Sequence, residues 1–272
     1  MRNATRSFFG DSQRGLESNG LRASESTYRA ELSLPRHAHG NAHFCLVLSG
    51  QYEESLAGAT EIRGPMTLIY YPPNCPHAET HRQRGRHFLV EWDVGWARRN
   101  CVDSKLPRGP IVTRRSAAVF LALKAYRLLL VDGSLSHLEL ESSLIALLGE
   151  INGEMTPPVG RTPKWLNEVI NLLRDAYSAN FSLAEIAESV KVHPSHLARS
   201  FKRFTGSTVG EMRRQLQIDH AYRRLVASND PLSFVAYDAG FADQSHMTRS
   251  LREATSFTPR ELRSAASSSS MD

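Results

Sequence analysis

An eight-residue pattern occurs twice in the C-terminal half of the chain. Ser195–Lys202 and Ser245–Arg252 share the same order of small, basic and apolar positions. A short apolar segment with an alanine in the same place precedes each copy, Ile186–Ala187 in the first and Val235–Ala236 in the second. Repetition at this level indicates that one structural unit has been used twice.

The repeat lies in a half of the chain that is predicted to be helical from Arg161 onward. Apolar residues recur every three or four positions from Leu166 to Leu173, which is the period of a helix. Ser182 and Asp243 are residue types that cap helix N-termini, and the longest helix of this half is predicted over Thr208–Ala227. We expect seven helices here.

Each copy of the repeat is predicted to form a helix-turn-helix unit. The first unit has Ser182–Ser189 as its supporting helix and Pro194–Phe204 as its exposed reading helix. The second has Leu232–Asp238 and Asp243–Ala254 in the same roles. Proteins use this geometry to place side chains in the major groove of DNA.

The spacing of the two units fits double-stranded DNA. The connecting helix, with about 20 residues at about 1.5 Å each, would span about 30 Å, close to one turn of B-DNA. Two reading helices could then enter successive major grooves on one face. The alternative is an all-α protein-interaction domain with basic surface helices.

The apolar residues of each reading helix must face the core, which leaves a polar and basic face toward solvent. Arg199 and Arg249 are the leading candidates for base contacts, because arginine can donate two hydrogen bonds to a guanine edge. Lys202, Arg203 and Arg252 are expected to contact phosphates, which sets register without reading sequence. The predicted DNA-contacting residues are Ser195, His196, Ala198, Arg199, Lys202, Arg203, Gln244, Ser245, His246, Thr248, Arg249 and Arg252.

The motifs of the two units are similar to those of a known family. Leu183–Ala187, Ser195–Lys202 and Gly206 resemble its first helix-turn-helix unit, and the stretch from Ala239 to Arg263 resembles its second. By these motifs residues 165–263 resemble the DNA-binding domain of the AraC/XylS family of bacterial transcription regulators. The resemblance implies base contacts by the outward-facing residues, with promoter DNA and RNA polymerase as partners.

Three residues depart from the family pattern. Val209 stands where a proline is usual, Leu251 where an aromatic residue is usual, and Ser256 where a glycine is usual. We expect Ser256 to end a helix in a left-handed conformation, which glycine adopts at a free-energy cost about 1 kcal/mol lower. This departure should weaken the stability of the second unit more than its role.

The N-terminal half has the sequence pattern of a β domain. Short apolar runs, separated by glycine and proline, occur at Phe44–Leu48, Met66–Tyr71 and His87–Trp92. We expect residues 1–25 to form a flexible N-terminal arm and residues 26–110 to form the β domain.

Histidines cluster at two places in this half. His37, His39 and His43 form the first cluster, and Pro72–His77 is a proline-containing turn that ends in a histidine. The spacing resembles the two motifs of the cupin β-barrel, with His43 in the place of the usual acid and Asn74 in that of the usual glycine. The AraC family often carries a cupin-like sensor domain in this position, so the resemblance implies a barrel that binds a small-molecule effector.

The histidines are candidate ligands because imidazole binds zinc, iron, nickel and copper. If the first cluster is one strand, residues of one parity can face the barrel interior together: His37, His39, His43 and Cys45. The candidate site for a divalent metal is His37, His39, His43 and His77. The alternative is a metal-free effector pocket walled by His37, His39, His43, Cys45 and His77. A thiol sensor that uses Cys45 and Cys75 is a third interpretation.

Between the two halves, apolar residues return at helical spacing over residues 111–155. The pattern predicts a helical hairpin, which either packs on its own β domain or forms a two-fold dimer interface. Thr156–Gly160 contains two prolines and breaks the helix. We therefore expect a linker over 156–162, the helical DNA-binding domain over 163–264 and a disordered tail over 265–272.

The composition is that of an ordinary soluble protein with room for two domains. A net charge of +5 and a pI of about 9.3 favour a polyanionic partner, although many proteins that bind no nucleic acid have a similar excess. The three cysteines are expected to be reduced thiols. No stretch resembles a signal peptide or a membrane span, so we expect a cytoplasmic protein with no membrane partner.

The sequence thus predicts an α+β multidomain protein. Its parts are an N-terminal cupin-like β-barrel, a helical hairpin connector and a C-terminal all-α domain with two helix-turn-helix units. We expect a homodimeric transcription regulator, controlled by an effector or metal in the barrel. The competing prediction is a metal-dependent cupin enzyme with an appended DNA-binding domain, in which His37, His39, His43 and His77 hold the metal.

Overall fold

The computed structural model describes residues 9–102, 106–114, 116–131, 136–155, 163–179 and 181–266. The chain divides into two compact units, one that runs to Gly153 and includes the C-terminal residues from Arg263, and one over Glu154–Leu262. The predicted linker 156–162 lies outside the described residues, as do residues 267–272 of the predicted tail. Residues 265 and 266 are helical, so the tail prediction began two residues too early.

Two antiparallel sheets form the first unit. The strands are β1 (Asp11–Ser18), β2 (Leu21–Tyr28), β3 (Leu32–His37), β4 (Ala42–Ser49), β5 (Tyr52–Leu56), β6 (Ala59–Arg63), β7 (Leu68–Tyr71), β8 (His77–His81), β9 (Gly85–Trp92) and β10 (Ile111–Thr113). One sheet has the order β1-β2-β9-β4-β7-β10, and the other has the order β3-β8-β5-β6. The three apolar runs singled out in the sequence lie in or beside β4, β7 and β9, as predicted.

The prediction of a flexible arm is wrong for residues 11–25. β1 pairs with β2, and β2 pairs with β9 along its whole length. The residues of β2 are mostly polar, which is why the sequence pattern did not indicate a buried strand. Glu25 is nevertheless buried, and it accepts hydrogen bonds from Arg86 and Tyr126 at 2.8 and 2.9 Å. These bonds offset the cost of burying the carboxylate.

The predicted helical hairpin packs on the six-stranded sheet. The helices of this unit are α1 (Val94–Arg99), α2 (Ser116–Leu130) and α3 (Ser136–Met155). Residues 111–113, predicted to start the hairpin, instead form β10, because their β-branched side chains suit the edge of the sheet beside β7. Residues of the hairpin and of the sheet line one small apolar cavity, among them Ala122, Leu140, Leu144, Phe44 and Phe88. One face of the hairpin is therefore buried within its own unit.

The second half contains seven helices among its described residues, as the sequence predicts. They are α4 (Lys164–Asp175), α5 (Leu183–Ser189), α6 (Pro194–Thr205), α7 (Val209–Ala227), α8 (Leu232–Asp238), α9 (Gln244–Thr255) and α10 (Pro259–Ala266). Ser182 and Asp243 cap α5 and α9, where their side chains accept hydrogen bonds from backbone N–H groups at 3.2 and 2.7 Å. Within the described ranges, every helix is too short or too polar to cross a bilayer.

Candidate DNA-binding surface and histidine cluster

The reading helix of the first repeat is α6. It starts at Pro194, and Nδ1 of His193 accepts a hydrogen bond from the backbone N–H of Ser195 at 3.3 Å. Leu197 and Phe201 are fully buried, so the opposite face of the helix meets solvent. The predicted contact residues lie there: Ser195, His196, Arg199, Lys202 and Arg203 are exposed, and Ala198 is half-buried.

The reading helix of the second repeat is α9. Met247 and Leu251 are fully buried, and Leu251 fills the core position where the family pattern has an aromatic residue. The ring of His246 packs edge-on against Phe241, with centroids 5.3 Å apart. Of the predicted contact residues, Gln244, Ser245, Arg249 and Arg252 are exposed, and His246 and Thr248 are half-buried.

The two reading helices correspond position by position. Each has 12 residues, and Arg199 and Arg249 are each the sixth residue of their helix. α6 contains no acidic residue, and Glu253 is the one acid of α9. The basic faces suit a phosphate backbone. The helix between them, α7, has 19 residues and spans about 28 Å at about 1.5 Å per residue.

Polar residues of α7 hold the second helix-turn-helix unit in place. An Arg214 guanidinium N–H donates to Ser250 Oγ at 2.9 Å, and Gln217 Nε2 donates to the carbonyl of Gly240 at 2.8 Å. The sequence pattern does not indicate these two residues, because polar side chains on a helix have the same spacing whether they face solvent or a neighbouring element.

The histidines of the first unit meet in space, although they do not share one strand. His37 ends β3, His39 lies in the following loop and His43 belongs to β4 of the other sheet. The premise of one continuous strand is therefore wrong, because the chain bends at residues 40 and 41. His77 starts β8 and completes the cluster, with its ring centroid 4.3 Å from that of His37 and 5.5 Å from that of His39.

Three of the four histidines present ligand atoms to one another. The candidate ligand atoms of His37, His39 and His77 all lie within 4.8 Å. Backbone carbonyls lie 2.8 and 3.1 Å from Nδ1 of His37 and His77. Because a carbonyl can only accept, each Nδ1 carries the proton and each Nε2 is left as a ligand atom. This arrangement fits a divalent metal bound by neutral imidazoles.

His43, the fourth predicted ligand, is placed differently. It is not part of the group of three, and its ring stacks on Tyr71 with centroids 4.6 Å apart. Burial, followed by the neighbouring His39, lowers the pKa of His43 well below its ordinary value. Its uncharged ring therefore lies beside the cluster.

The residues predicted to wall an effector pocket do line one interior cavity: His37, His39, His43, Cys45 and His77. Its volume of about 10 Å³ is roughly the space that one water molecule needs. Tyr28, Glu79 and His87 also line it, although they lie outside the motifs that predict the pocket. The alternation of buried residues in β8, with His77, Glu79 and His81 facing inward, is a period-two signal that could have found Glu79.

Glu79 places a negative charge in this interior. Its Oε2 lies 2.8 Å from Nε2 of His81, and its Oε1 lies 3.6 Å from Nε2 of His77. Burial by itself would raise the pKa of Glu79, but the hydrogen bond with His81 and the nearby His87 lower the pKa overall. The side chain therefore stays a carboxylate.

The cysteines near the cavity are not activated thiols. Burial, followed by the charges of Glu79 and Glu54, raises the pKa of Cys45 well above its ordinary value. Burial also raises the pKa of Cys75. Because a raised pKa suppresses the reactive thiolate, the thiol-sensor interpretation finds no support.

A larger cleft opens beside the cluster. Its volume is about 490 Å³, and His39 lines both the cleft and the small interior cavity. Three acids, Glu17, Glu91 and Asp93, and one base, Arg22, also line it. A cleft of this size falls in the range of small-molecule sites.

Fold and sites together define a two-domain protein in which a cupin-like β domain precedes a double helix-turn-helix domain. Residues 19–148 match the family described as the AraC-like ligand binding domain. Residues 186–265 match the family described as a helix-turn-helix domain. The two parts of the chain thus match an AraC-like ligand binding domain and a helix-turn-helix domain.

The chain is also similar to curated proteins over part of its length. The chain is 28% identical to the arabinose operon regulatory protein of Escherichia coli (strain K12) over 125 residues. The matched stretch covers 46% of this chain and 42% of the relative. It is 27% identical over 128 residues to the HTH-type transcriptional activator RhaS of Pectobacterium carotovorum, 46% of each protein. The chain thus spans less than half the length of these two relatives.

ToxT from Vibrio cholerae is similar over 92% of this chain and 100% of its own, at 10% identity and a TM-score of 0.39. The two sequence relatives are regulators by name. These names agree with the prediction of a transcription regulator, and the metal-dependent cupin enzyme stays a competing prediction.

Proposed function

We propose that the protein is a sequence-specific transcription regulator whose N-terminal domain binds a small-molecule effector or a metal ion. The matched pair of reading helices carries this proposal. Six predicted contact residues on each of α6 and α9 lie opposite apolar residues that are buried at corresponding positions. The matches to an AraC-like ligand binding domain and to a helix-turn-helix domain support the same conclusion.

The contact residues have two roles in this proposal. Arg199 and Arg249 read base edges in successive major grooves, because their guanidinium groups can donate bidentate hydrogen bonds to guanine. Lys202, Arg203 and Arg252 bind phosphates and set the register of each helix on the duplex. The exposure of all five side chains supports these roles.

DNA binding by the full chain tests the proposal. A footprint on the DNA upstream of its own gene locates the site, and fluorescence anisotropy then measures the affinity for that site. Arg199→Ala and Arg249→Ala should each weaken the binding free energy by about 1–3 kcal/mol and relax the preference for one base at one position of the site. Lys202→Ala should weaken binding to all sequences alike. It should also lower, by about one, the slope of the logarithm of the binding constant against the logarithm of the salt concentration.

Arg98→Ala is the matched control, because Arg98 is an exposed arginine of α1 in the first unit. It removes the same charge and should leave the affinity unchanged. Equal losses in Arg98→Ala and Arg199→Ala would mean that net charge alone drives binding. Unchanged affinity in both reading-helix variants would also contradict the proposal.

The first unit offers two sensing sites in this proposal. The interior cavity takes a single ion at the histidine cluster, whereas the cleft of about 490 Å³ takes a small polar molecule. Either ligand must change the affinity for DNA, and DNA must change the affinity for the ligand by the same factor. Anisotropy titrations with and without Zn²⁺, and with and without candidate small molecules, measure this coupling.

We further propose that the regulator acts as a homodimer and contacts RNA polymerase at the promoter. The exposed apolar side chains on α3, Leu138 and Ile145, support the dimer. Transcription in vitro from the footprinted promoter with purified polymerase tests the second partner. A footprint without any change in transcript level would contradict it.

A further inference from the structure

A cleft in the second unit lies beside the reading helix α9. Its volume is about 850 Å³, and its walls come from α7, from the end of α8, from the turn that follows and from the start of α9. His246, one of the predicted contact residues, lines it, and so does Tyr237, whose side chain is 81% exposed. The cleft therefore adjoins the predicted DNA-contacting residues of α9.

Two arginines of α7 give this cleft a positive charge. Arg213 and Arg214 both line it, and Asp238 is the one acid among the lining residues that the structure describes. The carboxylate of Asp238 is already paired, because its Oδ2 lies 2.7 Å from Nε2 of His220 and 3.3 Å from Nε of Arg224. Asp238 therefore does not neutralise the two arginines of the cleft.

Neutral groups hold both arginines in place. A guanidinium N–H of Arg214 donates to Ser250 Oγ at 2.9 Å. Nε of Arg213 donates to the carbonyl of Tyr177 at 3.3 Å. A hydroxyl and a carbonyl orient the side chains but do not cancel a positive charge. Two oriented guanidinium groups in one cleft suit a phosphate, whose oxygens accept their hydrogen bonds.

The position of the cleft matches the path of a DNA strand. When a reading helix enters the major groove by its N-terminal residues, the supporting helix before it crosses the sugar–phosphate backbone. In the second unit the supporting helix is α8, and its last residues and the turn at residues 240–242 form part of the cleft wall. A strand that borders the groove would therefore bring its phosphates past the cleft.

We propose that this cleft binds a phosphate of the DNA strand that borders the major groove entered by α9, with Arg213 and Arg214 as its contacts. The inference rests on the proposed DNA binding and goes beyond the contacts assigned to the two reading helices. Because both arginines belong to the connecting helix, this contact fixes the register of α7 on the duplex. It adds affinity without reading sequence.

The salt dependence of binding tests the assignment. Fluorescence anisotropy measures the affinity of the full chain for the footprinted site, and for sites changed at single base pairs, between about 50 and 200 mM NaCl. Arg213→Gln and Arg214→Gln should each weaken binding about tenfold and lower the slope of log binding constant against log salt concentration by about one. The base preference should stay that of the wild type. A wild-type slope in both variants would overturn the proposal.

Two further variants separate a phosphate contact from other roles of these arginines. Arg223→Gln removes the same charge from α7 nine residues further on, which is the opposite side of the helix at about 100° per residue, where Arg223 pairs with Asp219. It should keep the wild-type slope, and a fall equal to that of Arg214→Gln would show that net charge alone acts. Arg214→Lys keeps the charge and should restore most of the slope. If it falls as far as Arg214→Gln, Arg214 acts only through its hydrogen bond to Ser250 and the proposal is wrong.

A scan of the DNA backbone locates the phosphate. Single phosphates of the footprinted site are replaced in turn by neutral methylphosphonates, and the wild type is compared with Arg214→Gln. At a position beside the base pairs read by Arg249, the replacement should weaken the wild type about tenfold and the variant much less, because its partner charge is already gone. If no position shows this difference, the cleft binds no backbone phosphate. Relaxed base preference in Arg199→Ala and Arg249→Ala would still support the proposed function in that case.

Discussion

Ser256 and Gly206 end the two reading helices in the same left-handed conformation, with φ of 65° and 77°. Ser256→Gly should raise the free energy of unfolding by about 1 kcal/mol, because glycine adopts this conformation without a penalty from Cβ. Gly206→Ala should lower it by a similar amount, since an added Cβ would meet nothing within 4 Å and only backbone strain counts. Urea unfolding measures both. Changes of the same sign in the two variants would contradict the strain argument.

Gly240 adopts a left-handed φ of 75°, and close packing adds to its constraint. A Cβ at this position would lie 2.5 Å from Cα of Ser178, in the loop after α4. Gly240→Ala should therefore destabilise the protein more than Gly206→Ala does, by about 1–3 kcal/mol, because a backbone must shift to make room. Urea unfolding of the two variants side by side checks this. Equal losses of stability in the two variants would show that the loop moves to accommodate the added Cβ at no cost in free energy.

At the scale of elements, helices could be predicted from the sequence more completely than strands. The apolar residues of α9 recur at helical spacing and Asp243 caps the helix, so its position and its exposed face both follow from local pattern. β2 buries Ser24, Glu25 and Ser26 instead. The partners that make this burial tolerable lie on β9 and α2, far along the chain, and no local pattern indicates them.

The histidine cluster, too, could be predicted only in part from local sequence pattern. The motif spacing was enough to select His37, His39 and His77, because spacing between strands is what the cupin motifs describe. It was not enough to exclude His43 from the group or to include Glu79 in the cavity wall. Those two outcomes depend on where the chain bends between β3 and β4 and on the pairing of β3 with β8, which are tertiary features.

The outer face of α3 carries apolar side chains that its own unit leaves exposed. Leu138 and Ile145 are 69% and 39% exposed, and the small residues Ser142 and Gly149 lie on the same stripe of the helix. If this stripe forms the proposed dimer interface, Ile145→Glu should shift the protein toward monomer, because a charge would be buried at the contact. Sedimentation velocity over a range of concentrations measures the shift.

Ala146→Glu is the matched control for this variant. It introduces the same charge one residue later, about 100° around the helix. It should leave the dimer largely intact. Dissociation by both variants alike would indicate a general effect of charge on α3, and dissociation by neither would place the interface elsewhere.

At the scale of the whole molecule, the two units differ in how their histidines are buried. His43 and His87 are buried in the first unit, and burial, their largest influence, lowers both pKa values, that of His87 to about 3. The described histidines of the second unit are exposed or half-buried. Low pH should therefore destabilise mainly the first unit.

The sign of this effect follows from proton binding. Above about pH 6.5 these rings are neutral in both the folded and the unfolded chain, so they add no pH dependence. Below this pH the His87 ring binds a proton in the unfolded chain, but in the folded protein it stays neutral until about pH 3. The free energy of unfolding therefore falls as the pH falls. We expect calorimetry between pH 7 and pH 4 to show the first unit losing stability more steeply than the second. His87→Gln should flatten that loss by up to about 1.4 kcal/mol per pH unit, and an unchanged slope in this variant would mean that other groups control acid unfolding.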